Sequence, residues 1–248
     1  MGPRLLYRCL AEAVGTALLV GIGTGAIVAA GDAGGVPQWM MAVAWFLAVL
    51  VPIVLFVRLS GAHLNPAVTL ALAFSGRIAW REAPPYWASQ FTGALIASLG
   101  VLGTLGGGSH LGATLPANGE ILRTFVAEAA FTALLIGAVF LLADRGEGRS
   151  RWRLLLPPAA VGVSTEIIGP WTGSSLNPAR SLAPAVVSGT YTDLWVYLIA
   201  VPLAALAVAA LWKPASVDLL DRGPGRPEIT RESVRIESPG EPSVPPAS

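Results

Sequence analysis

The sequence predicts an all-α membrane protein in which six transmembrane helices and two short re-entrant half-helices form an inverted repeat. Three observations predict this fold. The 248 residues are 54% hydrophobic and only 12% charged, a balance typical of integral membrane proteins. Six apolar stretches are long enough to cross a bilayer. Two copies of Asn-Pro-Ala interrupt apolar sequence at corresponding places in the two halves of the chain.

The predicted elements follow one another along residues 1–212, which we take as one membrane domain with repeats at approximately 5–105 and 121–212. The stretch 11–21 resembles the stretch 127–137, and each half has three spans around one half-helix. Three is an odd number of crossings, so the second half enters the bilayer from the opposite side, which predicts an inverted repeat. The spans lie near 7–30, 38–59, 84–105, 121–143, 153–169 and 193–212.

Each Asn-Pro-Ala copy predicts the start of a short helix. Asn is a strong helix N-cap, and Pro is favoured at the first helical position. The helices at 65–76 and 177–188 would be about 18 Å long, too short for roughly 30 Å of hydrocarbon. Non-helical backbone at membrane depth is tolerated only where protein buries it or where it lines a wet cavity. Two such elements in corresponding places predict a central site or pore.

The residues of these two motifs are the first candidates for that pore. A simple capping role explains one Asn, but not two at equivalent places in broken spans. The side-chain oxygen can cap its own helix while the NH₂ group faces the lumen, and we favour this interpretation. The six candidates are Asn65, Pro66, Ala67, Asn177, Pro178 and Ala179.

Arg180 and His63 are candidates beside the motifs. Arg180 follows Asn177 by three residues, and Val68 occupies the matching place in the first copy. This puts one fixed positive charge near the outer mouth, although an Arg at a helix end can instead extend to lipid headgroups. His63 can line the pore or hold the loop. It has no second ligand nearby, so we expect no metal site.

Glu12 and Glu128 occupy equivalent positions inside predicted spans. A lone intramembrane carboxylate costs about 3 kcal/mol or more, so each should be hydrogen-bonded within the protein. We favour bonds to the exposed backbone of the re-entrant loops over a role in proton relay. We identify these two as the only carboxylates in the middle of spans.

The distribution of positive charge predicts the orientation. The more basic side is cytoplasmic, which places both termini inside the cell. Residues 213–248 mix Pro with charge and predict a disordered cytoplasmic tail. Arg4, Arg8, Arg58, Arg77, Arg81, the loop at 144–153 and Lys213 lie on the basic side, and Arg123 and Arg180 lie on the other.

Two classes of function are disfavoured. The formal net charge of +1 argues against nucleic acid as a partner. The sequence has no phosphate-binding Walker loop, no zinc-binding His–Glu–His helix and no convincing catalytic triad, so we expect neither an enzyme nor a cofactor.

These motifs resemble those of the aquaporin and aquaglyceroporin family, the major intrinsic proteins. The resemblance rests on both Asn-Pro-Ala copies, on Arg180, on the Ala-Glu pairs at 11–12 and 127–128, and on the run 177–185. It covers roughly residues 5–212. It implies a homotetramer in the plasma membrane, with a separate pore in each protomer for water or small neutral solutes.

The family forms its narrowest constriction from four positions, which in this chain are Trp45, Thr165, Ser174 and Arg180. Water-selective members typically have Phe and His at the first two positions, and this chain differs at both. Glycerol facilitators typically share the Trp, whereas the residues that follow Arg180 here are typical of water channels. The pattern is nearest to that of plant nodulin-like members and their bacterial relatives.

We therefore expect a passive pore for water and glycerol-like solutes that excludes ions and protons. Backbone carbonyls of 60–64 and 172–176 would offer acceptors along one wall of the pore. A strict water channel is the first alternative. A coupled secondary transporter is the second, because inverted repeats with broken helices also build transporters.

Overall fold

The computed structural model describes residues 3–143 and 151–212. The predicted tail at 213–248 and most of the basic loop at 144–153 lie outside the described residues. The described part contains eight α-helices and no strand. These are α1 (Pro3–Asp32), α2 (Gln38–Phe56), α3 (Pro66–Phe74), α4 (Ala83–Leu105), α5 (Ile121–Ala143), α6 (Leu156–Thr172), α7 (Pro178–Ser188) and α8 (Leu194–Leu211).

Six of these helices correspond to the predicted spans. Five of them, α1, α2, α4, α5 and α8, are long and apolar enough to cross a membrane by length and composition. The sixth, α6, has 17 residues and follows a 3-10 turn at Arg151–Leu155. It begins and ends three residues later than predicted, because two Pro occupy its first turn and Gly173 ends it in the left-handed region at φ 80°.

The two half-helices are shorter than predicted. Asn65 lies in extended backbone at φ −157° and caps α3 without being part of it. At the other end, Gly76 has φ 73° and its N–H donates to the carbonyl of Ala73, so α3 ends before the predicted residue 76. In α7 the same pattern places Asn177 at the N-cap and Gly189 at the C-cap.

The packing of the helices follows the inverted repeat. Helix α3 packs against α8, the last helix of the second half, and α7 packs against α4, the last helix of the first half. Helices α1 and α4, α5 and α8, and α2 and α6 pack against each other around this centre. Each half therefore completes the other, and the N-termini of α3 and α7 meet in the interior.

The outer surface carries many large apolar side chains, and several polar side chains are fully buried. Large apolar side chains such as Ile96, Leu122 and Leu203 are exposed on the outer surface. The largest fully buried side chains include Arg180 and Gln90. An apolar exterior, with the polar side chains buried among apolar ones, is what a bilayer requires of a multi-pass membrane protein.

Candidate functional site

The two Asn side chains join the half-helices at the centre of the molecule. Asn65 Oδ1 accepts from the Ala67 N–H at 2.9 Å, and Asn177 Oδ1 accepts from the Ala179 N–H at 3.0 Å. Asn65 Nδ2 donates to the carbonyl of Leu176 at 2.7 Å, and Asn177 Nδ2 donates to the carbonyl of Leu64 at 2.9 Å. Each NH₂ group thus uses one N–H on the opposite loop, which the sequence did not predict. The second N–H of each group makes no hydrogen bond within residues 3–143 and 151–212.

This arrangement brings two helix N-termini together. The aligned peptide dipoles of a helix place roughly half a positive charge at its N-terminus. The ends of α3 and α7 therefore create a positive potential around Asn65 and Asn177, and this potential opposes cations.

The backbone before each Asn repeatedly adopts the left-handed region. For a non-glycine residue this conformation costs of the order of 1–3 kcal/mol, and it persists only where the surroundings enforce it. It turns successive peptide groups so that carbonyls and N–H groups point to different sides of the loop. The residues are Gly61 (φ 91°), Ala62 (φ 49°), Leu64 (φ 54°), Gly173 (φ 80°), Ser174 (φ 45°) and Leu176 (φ 51°).

The free carbonyls of these loops are fewer than the sequence predicted. Within residues 3–143 and 151–212, no donor reaches the carbonyls of 61–63 or of 174–175. The other carbonyls of 60–64 and 172–176 accept hydrogen bonds from protein groups. The two Asn amides take those of Leu64 and Leu176, and Arg180 takes that of Gly173. The acceptors available to a solute therefore form two short runs rather than two complete loops.

Glu12 holds the first loop from beneath. Its Oε1 accepts from the Ser60 hydroxyl at 2.7 Å and from the His63 N–H at 2.9 Å. Its Oε2 accepts from the Leu64 N–H at 2.7 Å and from Gln90 Nε2 at 2.8 Å. Four donors occupy a carboxylate that is 0% exposed, so its burial is compensated.

Glu128 holds the second loop in the same way. It accepts from the Ser175 N–H at 2.9 Å and from the Leu176 N–H at 3.0 Å, and it is also 0% exposed. Both carboxylates are engaged by loop donors. This geometry supports the loop-supporting role over proton relay.

Two tyrosines anchor the carbonyls that precede the loops, and the sequence analysis missed both. Tyr86 on α4 donates to the carbonyl of Ser60 at 2.8 Å. Tyr197 on α8 donates to the carbonyl of Thr172 at 2.6 Å. Both sit on the last helix of their half, so the repeat itself could have paired them. The local sequence around a tyrosine does not show that a carbonyl more than twenty residues away lacks a hydrogen-bond donor.

A further hydroxyl closes each loop onto its half-helix. His63 Nδ1 and Thr69 Oγ1 share a hydrogen bond of 3.1 Å, and the imidazole lies 4.9 Å from the ring of Tyr86. In the second loop the hydroxyls of Ser175 and Ser181 bond to each other. His63 is buried, and its bond to Thr69 supports the loop-holding role, which was one of the two roles left open for it.

Arg180 lies inside the protein and does not extend to headgroups. Its side chain is 1% exposed. Nη1 donates to the carbonyl of Gly112 at 2.6 Å, and Nη2 donates to the carbonyl of Gly173 at 3.2 Å. Its Cζ lies 4.6 Å from the ring centroid of Trp45, a cation–π contact. Among the described residues Nε has no hydrogen-bond partner.

Ser174 and Thr165 are connected to this pair through intervening residues. Ser174 follows Gly173, which binds Arg180, and its hydroxyl shares a hydrogen bond of 2.8 Å with that of Ser164. The Thr165 hydroxyl donates to the carbonyl of Val161 at 2.9 Å. Trp45 and Arg180 are in direct contact, whereas Ser174 is the chain neighbour of Gly173 and Thr165 is the chain neighbour of Ser164.

Residues 3–212 match the family model of the major intrinsic proteins. The chain belongs to the major intrinsic protein family. This membership confirms the fold expected from the sequence, including the inverted repeat.

Curated relatives and a solved structure are similar to this major intrinsic protein. Aquaporin NIP1-1 of Zea mays is 38% identical over 207 residues, which cover 82% of this chain and 73% of the relative. Aquaporin NIP1-3 of Oryza sativa subsp. japonica is 37% identical over 233 residues, which cover 93% of this chain and 80% of the relative. The X-ray structure of the aquaglyceroporin from Plasmodium falciparum shares the fold with a TM-score of 0.76 at 24% identity, covering 88% of this chain and 99% of that chain.

A further carboxylate within a helix does not contradict the expectation that Glu12 and Glu128 are the only ones in the middle of spans, which stays a prediction. Helix α6 of this major intrinsic protein also carries Glu166, which is exposed. Its neighbour Thr165 accepts a hydrogen bond through its carbonyl from Gln38, at the start of α2. Glu166 therefore lies toward the end of the spans and makes no hydrogen bond to the described part of either re-entrant loop. In the same part of the chain no group of His, Cys, Asp and Glu could hold a metal ion.

Proposed function

We propose that this protein is a passive membrane channel that conducts glycerol-like polyols together with water and excludes ions. Its class, a passive channel for water and small neutral solutes, follows from its family. One observation carries the finer proposal: the buried guanidinium of Arg180 contacts the indole of Trp45. Two small residues, Ser174 and Thr165, occupy the other two predicted constriction positions.

The chemistry of this predicted four-residue constriction suits a polyol, which is polar on one edge and apolar on the other. A guanidinium carries five N–H donors, and Arg180 uses two of them on the carbonyls of Gly112 and Gly173. The others can donate to a hydroxyl. The indole of Trp45 offers an apolar face to a carbon chain.

The two small residues leave room beside that pair. The hydroxyl of Ser174 is tied to Ser164, and that of Thr165 is tied to Val161 on its own helix. Both hydroxyls are therefore drawn toward α6. Larger side chains at these two positions would occupy the space that a polyol requires.

Ion exclusion rests on the centre of the molecule and on Arg180. The N-termini of α3 and α7 meet at the Asn pair, and Arg180 adds a full positive charge on one side. Passive flux is supported because Glu12 and Glu128 are engaged by loop donors. Both carboxylates are fully buried and already accept hydrogen bonds, which argues against binding of a coupling ion.

One observation favours the alternative of a water-selective channel. The guanidinium of Arg180 and the ring of Trp45 are in contact, with 4.6 Å between Cζ and the ring centroid. A carbon chain cannot pass between two groups in contact, so glycerol must pass beside them or separate them. Water needs less room.

Stopped-flow permeability of reconstituted protein distinguishes the two functions. We expect glycerol and water flux that is linear in the gradient and insensitive to uncouplers. The Thr165→His variant should reduce glycerol flux far more than water flux, because size exclusion is steep at a single narrow ring. Thr104→His, at an exposed position of α4, is the matched control and should leave both unchanged. A folded wild type that conducts water and excludes glycerol would establish the water-selective alternative.

The setting of the channel is part of the proposal. We propose a homotetramer in the plasma membrane, with a channel domain at 1–212, a cytoplasmic tail at 213–248 and both termini inside. The positive charges at Arg58 and Arg77 support this orientation, and the family resemblance supports the tetramer. Protease protection of terminal tags in intact cells tests the orientation. Light scattering of the purified protein tests the oligomeric state.

A further inference from the structure

We propose that Gly23 on α1 determines the solute size limit of the channel. Because Gly23 has no side chain, the indole of Trp45 can occupy the space next to the backbone of α1. This inference rests on the proposed function and names a residue that controls the width of the same predicted constriction.

The contact between α1 and Trp45 leaves no room for a side chain at residue 23. A methyl group there would lie 2.6 Å from Cη2, 2.6 Å from Cζ3 and 2.7 Å from Cζ2 of Trp45. Carbon atoms in ordinary contact are about 3.5–4.0 Å apart. The indole therefore lies directly against the backbone of α1, and it is 4% exposed.

Arg180 also contacts the indole. Its Cζ lies 4.6 Å from the ring centroid, and the guanidinium is held by the carbonyls of Gly112 and Gly173. A methyl group on residue 23 would displace the ring by roughly 1 Å to restore ordinary contact. Since α1 blocks one side and Arg180 is held in place, this displacement moves the ring into the space that a solute uses.

Two glycines on the same helix provide a contrast. A methyl group at Gly21 would meet only Ala97 Cβ at 3.7 Å. At Gly25 it would meet Leu105 Cδ1 at 3.7 Å and Val101 Cγ2 at 3.8 Å, which are ordinary contacts. The sequence places these three glycines at alternate positions and cannot distinguish them. Only the position of Trp45 separates Gly23 from the others.

The experiment compares Gly23→Ala with Gly25→Ala in proteoliposomes, with water, formamide and glycerol as probes. We expect Gly23→Ala to reduce glycerol permeability by about tenfold or more and water permeability by about twofold or less, because exclusion at one ring depends steeply on solute size. Gly25→Ala should match the wild type for all three probes. Equal solute profiles for the two variants, or an unchanged profile for Gly23→Ala, would overturn the inference.

A second variant separates the ring from a general effect on helix packing. The double variant Gly23→Ala with Trp45→Phe removes the outer atoms of the indole that the methyl group would strike. Its permeability profile should match that of Trp45→Phe alone. If Gly23→Ala alone fails to fold, folding of the double variant still supports the contact. Failure of both variants, with Trp45→Phe alone folded, would overturn the inference in favour of a packing role.

The wild type separates this inference from the proposed function. A wild type that excludes glycerol contradicts the polyol proposal and leaves the inference readable from water and formamide. In that case Gly23→Ala should reduce both, formamide more than water, and Gly25→Ala should reduce neither. A Gly23→Ala variant that then equals Gly25→Ala for both probes would overturn the inference as well.

Discussion

The loop that ends at Asn65 and the loop that ends at Asn177 use the same supports. In each, the Asn caps its own half-helix and donates to the opposite loop, and a buried Glu accepts from the loop N–H groups. In each, a Tyr donates to the carbonyl that precedes the loop. In both loops the same kinds of residue supply hydrogen bonds to the non-helical backbone, as is required at membrane depth.

The loops differ in the side chains that follow this shared plan. Val68 packs in an apolar cluster, whereas Arg180 in the matching place binds two carbonyls and contacts Trp45. A different ionic contact lies near the first loop: Arg8 pairs with Glu82 at 3.0 Å and donates at 2.7 Å to Tyr86, the residue that anchors the Ser60 carbonyl.

This difference teaches that support and selectivity are separable. Both halves need satisfied backbone, so the supports are duplicated. A single narrow ring limits the flux through the whole path, so only one half needs to provide it. The predictions below test this division, from the largest expected effect to the smallest.

The largest effect should come from removing the carboxylates beneath the loops. Glu12→Ala leaves two loop N–H groups and two side chains without an acceptor, whereas Glu128→Ala leaves two N–H groups. A buried unsatisfied donor costs about 1–3 kcal/mol, so both variants should be strongly destabilised, Glu12→Ala more so. Thermal unfolding in detergent measures this. Glu166→Ala, at an exposed carboxylate, is the control and should change little. Equal stability of all three variants would contradict a shared support.

The second effect concerns the centre, where the two halves are equivalent. Asn65→Asp or Asn177→Asp puts a carboxylate where two positive helix ends meet. Cation or proton leak should rise in both variants while flux of neutral solutes falls, and conductance of reconstituted bilayers measures the leak. Asn118→Asp, at an exposed position between α4 and α5, is the control. Ion exclusion that remains intact in a folded double variant would argue that Arg180 alone excludes ions.

The third effect tests the asymmetry by mercurial block. Ser174→Cys places a thiol beside Arg180, and Ala62→Cys places one at the matching position of the first loop. The two residues have similar left-handed backbone, with φ 45° and 49°, so backbone strain is matched. An impermeant mercurial added outside intact cells should block glycerol uptake by Ser174→Cys and leave Ala62→Cys active. The wild type should respond weakly because Cys9 is buried. Block of the wild type that Cys9→Ser removes would mean that the solute path is misassigned.

The smallest effect compares the two tyrosine anchors. Tyr197→Phe removes one hydrogen bond to the carbonyl of Thr172, and we expect a loss of about 1–2 kcal/mol. Tyr86→Phe removes the bond to Ser60 and also the contact with Arg8, so its loss of stability should be larger. Chemical unfolding of both variants measures the difference. A larger loss for Tyr197→Phe would show that the Arg8 contact adds nothing.

Much of the fold could be predicted because its signals are local. An Asn followed by Pro specifies a cap and a first helical turn within a few residues, and apolar length specifies a span. Family membership confirms that fold. The assignment of the four constriction positions came from resemblance, and their roles remain predictions.

The sequence by itself determined which segments are helical, where two of them break and which carboxylates lie in the membrane beside the breaks. The tertiary structure decided the hydrogen-bond partners, namely which carbonyls accept from the Asn amides, the tyrosines and Arg180. It also decided which glycine on α1 faces Trp45. The physical reason is distance along the chain. Caps and apolar spans depend on residues within one or two turns. Asn65 and Leu176, or Gly23 and Trp45, meet only when helices from different parts of the chain pack together.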